Sequence, residues 1–332
     1  MKLRGIEFGN SFAASGSRGF FGEGYWHHGI FKWLLPGFDF SGSTFIAKTT
    51  TVLDRMPLPE EKGKGWGNLP LNLKTWKPIE WFPDCIKVSL LKGEALNAVS
   101  LTGPGAQSLF ESGRWQKIQN PIVISFMAIG QTQEERINET VMFCNIFKKH
   151  LHSFSAPVAL QVNISCPNTQ HNTAELANNV MGQLEITKDL GIAVGLKINV
   201  LTLVEIMQKA ANSGLCDFLE IPNTLPFGKM PGRVDWERKY SNKSPLAKYG
   251  GGGYSGLENF QLALEWIKNA RNQGIRIPII CGGVSCKEDV EKAKRFGADA
   301  VAFARITMTP FHAWKIKGII EKANNIFGGQ KK

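Results

Sequence analysis

Eight short apolar runs recur along the chain, each leading into a polar or glycine-rich loop. They are SFAAS (11–15), TFIAKT (44–49), PIVISF (121–126), VALQVNI (158–164), AVGLKIN (193–199), DFLEI (217–221), PIIC (278–281) and AVAFA (300–304). Most are apolar throughout rather than alternating, as strands of a parallel sheet covered on both faces are. Helical patterns lie between them. Residues 132–151 place apolar positions at helical spacing, with acids early and bases late, as the helix dipole favours. Residues 257–274 and 286–297 each end in a glycine suited to a C-terminal cap, and a last helical pattern covers 310–328. Eight strands alternating with helices predict an α/β fold, a single (β/α)8 TIM barrel. Residues 54–105 break the alternation. This stretch is rich in Pro, Gly and Trp and too long for a plain connection. It is expected to form an excursion over the C-terminal mouth, with short antiparallel strands. No linker or repeat divides the chain, so residues 1–332 are expected to be one domain.

Composition narrows the class. The chain has 332 residues, 43% hydrophobic and 20% charged, enough for a large core. No apolar stretch is long enough to span a bilayer, and the N-terminus lacks a signal-peptide core. A cytoplasmic protein without a membrane partner is the expectation. The cysteines, at 85, 144, 166, 216, 281 and 286, form no CxxC or Cys/His cluster. That spacing argues against zinc or a disulfide framework, so no metal is expected. The net charge of +11 is spread without a long basic run. It favours an anionic small ligand over nucleic acid.

In such a barrel, ligands bind in the loops after the strands. The residues there are Ser15 and Gly16, Lys48 and Thr49, Asn163 to Asn168, Lys197 and Asn199, Asn223 and Thr224, Gly282 and Gly283, and Ala304 and Arg305. Amides, glycines and lysines dominate. The CGGV turn opens a helix, and glycine there lets backbone amides approach a phosphate; a tight turn has the same composition. The loop YGGGGYSG places Ser255 and Gly256 nearby. Lys48 and Lys197 end apolar runs, so each meets an anion or electron-rich group or else snorkels from the rim. Asn97, Asn163, Asn168 and Asn223, with Thr224, can match the alternating donor and acceptor edge of a pyrimidine, although each alone is also a turn residue. Cys166 precedes Pro167. It is either a small buried hydrophobe or, with its pKa lowered, a general base.

Together these residues resemble the dihydroorotate dehydrogenase family, over nearly the whole chain from FAASG to AVAFARITM. NISCPNT is the most specific element, supported by AKTTT, LNAVSLTGPG, GLKIN, PNT and CGGV. The resemblance implies bound FMN, contacted by Ala14, Ser15, Gly16, Lys48, Thr49, Asn163, Lys197, Gly256, Gly282, Gly283, Ala304 and Arg305. It implies that Lys48, Asn97, Ala98, Val99, Ser100, Leu101, Asn163, Asn168, Asn223 and Thr224 hold dihydroorotate or orotate. Cys166 falls at the base position, which marks the soluble branch; the quinone-using branch carries serine. The implied reaction removes a proton from C5 through Cys166 and passes a hydride from C6 to FMN N5. The loop after Cys166 would act as a lid. A homodimer is the expected assembly, and the oxidant is left open among fumarate, NAD⁺ through a partner subunit, and quinone. Two stretches depart from the family pattern. They are TQHNTAELANN after the cysteine, and Ala304–Arg305 where a small pair is usual. Competing readings are an oxidoreductase of free dihydropyrimidines, a dihydrouridine-synthase-like enzyme acting on tRNA, and a non-catalytic binding barrel.

Overall fold

The computed structural model describes residues 1–57, 67–165 and 179–329. Its centre is a closed barrel of eight parallel strands: β1 (Ser11–Ala13), β2 (Thr44–Ile46), β3 (Ile122–Phe126), β4 (Val158–Asn163), β5 (Val194–Lys197), β6 (Phe218–Ile221), β7 (Ile279–Cys281) and β8 (Ala300–Phe303). Each strand pairs with the next, and β8 pairs with β1. All eight fall inside the runs read from the sequence, and the (β/α)8 expectation holds.

The barrel interior changes character along its axis. Successive inward positions on a strand are two residues apart. Strand β3 offers Val123 and then Ser125; β4 offers Ala159, Gln161 and Asn163; β6 offers Phe218 and then Glu220. The lower layers form one buried apolar cluster containing Phe12, Ile46, Val123, Phe218 and Ala300. Leu3 and Phe8 close it from below, carried by an N-terminal antiparallel pair, Lys2–Leu3 with Ile6–Glu7. The upper layer is polar yet still buried, with Ser125, Gln161, Asn163, Lys197 and Glu220. Gly195 on β5 is required by this packing, because a Cβ there would lie 2.4 Å from a Phe218 ring carbon.

Helices cover the outside. The helix Gln133–His150 begins with a full capping box, in which Thr132 accepts from the Glu135 amide and Glu135 accepts from the Thr132 amide. Leu257–Asn272 and Lys287–Arg295 are followed by Gly274 and Gly297, both at positive φ as expected of C-terminal caps. The pattern over 310–328 is not one helix. It divides into Pro310–Ala313 and Ile316–Gly328, where the Gly37 carbonyl takes the Lys317 amide. A helix the pattern did not reveal, Trp26–Leu34, lies between β1 and β2.

Between β2 and β3, strands Ile86–Ser89 and Glu94–Asn97 form a hairpin. It joins Gly253–Ser255 and Leu225–Pro226 in a four-stranded antiparallel sheet. The latter two strands come from the loop that follows β6, so this sheet is anchored to the C-terminal side of the barrel.

Candidate active site

The strand ends are tied together by hydrogen bonds. The Ser15 hydroxyl after β1 donates to the Ala47 carbonyl at 2.9 Å and accepts from the Thr49 amide at 2.9 Å. The Thr49 hydroxyl lies 2.9 Å from that of Ser125 on β3. Asn163 at the end of β4 donates to Thr49 Oγ1 at 3.4 Å. Asn223 after β6 donates to Asn163 Oδ1 at 3.1 Å. Thr224 then donates its amide to Asn223 Oδ1 at 2.8 Å, and Asn199 after β5 holds the Thr224 carbonyl at 2.6 Å. Residues from six strand ends thus form one polar network, and five expected site residues, Ser15, Thr49, Asn163, Asn223 and Thr224, sit in sequence along it.

Lys48 is buried beneath the segment that follows the hairpin. Its ammonium donates to the Thr102 carbonyl and lies 4.9 Å from the centre of the Phe20 ring. The cover above it is unusual. Ser100 and Leu101 both adopt positive φ, at 57° and 58°. Non-glycine residues held there store strain, and such strain collects at ligand clamps. Lys48 therefore lies against Thr102, the residue that follows the 97–101 segment. Asn97 donates to Gly253 O at 3.4 Å across the four-stranded sheet.

Lys197 at the end of β5 pairs with Glu220 of β6 at 3.1 Å, and Gln161 of β4 donates to the same carboxylate. Both charged side chains are almost wholly buried. Gln161 Oε1 has no hydrogen-bond partner among the described residues. Glu220 and Gln161 were not foreseen. The available signal was a carboxylate and an amide inside runs that are otherwise apolar.

On the opposite side of the mouth, β7 ends in Gly282 and Gly283. Gly283 holds φ at +85°, and the turn leads to the start of helix Lys287–Arg295. Asp289 of that helix accepts from the Ser285 amide at 2.9 Å. After β8, Arg305 is buried, donates to the Gly93 carbonyl, and has no partner for its Nε among the described residues. Burial pushes its pKa down, although Asp289 acts in the other sense. Gly256 caps helix Leu257–Asn272, and a Cβ there would run into the Tyr254 hydroxyl, which donates to Glu258 at 2.7 Å.

Cys166 and Asn168 lie outside the described residues. Their neighbour Ser165 is buried, with its hydroxyl donating to Lys197 O at 3.0 Å and its amide to Asn163 Oδ1 at 3.2 Å. Ser165 itself therefore belongs to the polar network. Other thiols are poor candidates for chemistry. Burial pushes Cys216 up to about 12, and Cys281 is raised for the same reason. Among the described residues no group of His, Cys, Asp and Glu could hold a metal, and no helix is long and apolar enough to cross a membrane.

The profile of dihydroorotate dehydrogenase aligns with residues 83–323. Dihydroorotate dehydrogenase A (fumarate) of Lactobacillus delbrueckii subsp. bulgaricus is 31% identical over 227 residues, covering 65% of this chain and 67% of the relative. The enzyme of the same description from Lactobacillus helveticus is 31% identical over 224 residues, again covering 65% and 67%. The catalytic subunit of dihydroorotate dehydrogenase B (NAD(+)) from a Geobacillus species is 30% identical over 223 residues, covering 65% of this chain and 66% of the relative.

Proposed function

Because this chain belongs to the dihydroorotate dehydrogenase family of oxidoreductases, we propose that it oxidises dihydroorotate to orotate, with FMN held at the C-terminal mouth of the barrel. The observation that carries this reading is the polar upper layer of an otherwise apolar barrel, where two buried lysines flank a chain of amides and hydroxyls. A barrel built only for stability would continue its apolar layers to the rim.

The residues present fit a phosphorylated flavin. Gly282 and Gly283 expose backbone before a helix start, and Arg305 brings a buried cation with a spare donor to the neighbouring strand end. Lys197 and Gln161 suit the electron-rich pyrimidine edge of the ring. Gln161 keeps an unpartnered acceptor there, among the described residues. When bound, FMN supplies the acceptor for the hydride that leaves C6 of the substrate.

The rest of the reaction falls to the chain. Asn163, Asn223 and Thr224 orient the substrate ring by its amide edges, and Lys48 offers its cation to the substrate carboxylate. Cys166 takes the proton from C5, so that loss of the C5 proton and the C6 hydride leaves the double bond of orotate. Asn168 and the segment after Cys166 complete the substrate's surroundings. Fumarate and NAD⁺, the oxidants in the names of the relatives, are the first to test as electron acceptors. Mutation separates these roles. Cys166→Ala is expected to retain orotate binding while its flavin is reduced roughly 10²-fold or more slowly by dihydroorotate in anaerobic stopped flow. Wild-type reduction by this variant would remove Cys166 from the mechanism.

A further inference from the structure

Helix Trp26–Leu34 turns most of its apolar side away from the core. His28 and Phe31 are buried, whereas Trp26, Ile30, Trp33 and Leu34, at spacings of four, three and one, point outward. Trp33 is 83% exposed. The outward face continues into other segments. Trp26 donates its indole N–H to the Trp81 carbonyl at 2.7 Å, and its ring lies 5.4 Å from Phe82, which is 82% exposed. Beyond the helix, Gly37 packs against the backbone of Trp314, itself exposed. The neighbouring His312 ring packs on Gly93, at the hairpin turn where Leu91 is 79% exposed. A soluble surface scatters its large apolar side chains singly; this one gathers tryptophan, phenylalanine and leucine tips into one belt.

The charges around the belt select its partner. Segments 26–34, 71–92 and 310–318 carry seven lysines against two acids, Glu80 and Asp84. Aromatic tips that protrude among lysines suit the headgroup level of an anionic bilayer, where rings bury in the boundary and ammonium groups meet phosphates. A two-fold dimer through the same face would oppose the lysines to themselves. We propose that the face formed by helix Trp26–Leu34, the 79–82 segment, the 90–91 hairpin tip and the 311–314 turn seats the protein on an anionic lipid surface, lying on the membrane without crossing it.

The test uses the full chain with sedimented vesicles of phosphatidylcholine alone or mixed with phosphatidylglycerol. The protein is expected to pellet with the mixed vesicles and to be released by salt, as surface charge is screened. Trp33→Glu combined with Phe82→Ser is expected to lower partitioning roughly tenfold or more. Both side chains are mostly solvated, so the circular dichroism spectrum should be unchanged; Leu91→Glu, on a separate segment, repeats the test if that variant misfolds. A wild-type protein that stays in the supernatant with every vesicle overturns the proposal. A stable dimer in light scattering that Trp33→Glu dissolves also overturns it, and assigns the face to self-assembly.

Discussion

Lys197 Nζ lies 3.1 Å from Glu220 Oε1 inside the barrel, on neighbouring strands whose register sets the two residues side by side. Taking two charges out of water is costly, and a buried pair recovers that cost only with good geometry and added hydrogen bonds. Gln161 supplies one such bond. In the proposed flavin site the lysine would present its charge with a carboxylate already attached, which would temper the positive field at the pyrimidine edge.

Glu220→Gln is therefore expected to raise the reduction potential of bound FMN, by on the order of 30 mV for about 1.4 kcal/mol of added stabilisation of the reduced form. Apo-protein stability should fall by roughly 3 kcal/mol, since an unpaired lysine remains buried. Dye-equilibrated potentiometry and urea denaturation read the two effects. An unchanged potential with FMN bound would place the pair too far from the ring to act on it.

Asn223 is expected to act on substrate binding. Its amide holds Asn163 Oδ1 at 3.1 Å, and Asn163 in turn reaches Thr49. Asn223→Ala should weaken orotate binding by roughly 1–3 kcal/mol, or about 5- to 150-fold, the scale of a lost buried hydrogen bond. Titration of orotate against flavin absorbance measures it.

Packing inside the barrel gives a purely structural prediction. Gly195→Ala places a methyl 2.4 Å from the Phe218 ring. Overpacking of this kind costs about 1–3 kcal/mol, and Phe218→Leu in the same chain should recover part of it. Chemical denaturation of the single and double variants tests the pairing.

His28 predicts a pH dependence. Burial, and then the neighbouring His27 charge, lower its pKa to about 3, and its Nδ1 accepts the Tyr25 amide at 3.3 Å, as a neutral ring does. The folded state holds the ring neutral while the unfolded state protonates it near pH 6.5. Between these values the unfolded chain binds more protons, so stability falls as pH falls from about 6.5 toward 3, by up to about 1.4 kcal/mol per pH unit. His28→Gln should flatten that slope in urea midpoints recorded across this range.

The legible parts of the fold were those written into local runs. The eight strands were readable because a sheet covered on both faces leaves continuous apolar segments. Lys48, Lys197 and the asparagines stood out as polar residues closing such runs. Glu220 and Gln161 did not, because their role depends on the register between strands β4, β5 and β6, and DFLEI reads simply as a strand. Helix Trp26–Leu34 escaped notice because it is only nine residues long and a histidine pair and a glycine, His27, His28 and Gly29, interrupt its apolar pattern. The bond from Asn97 to Gly253 could not be read from sequence, because it is made across a sheet whose strands lie 156 residues apart.

Anaerobic titration of the flavin-loaded protein with dihydroorotate, dihydrouracil and tRNA is the most direct measurement. Dihydroorotate should bleach the oxidised flavin stoichiometrically and release orotate, with dihydrouracil and tRNA far slower. A protein that cannot be loaded with FMN, or whose flavin is reduced by tRNA or dihydrouracil in preference to dihydroorotate, would contradict the assignment.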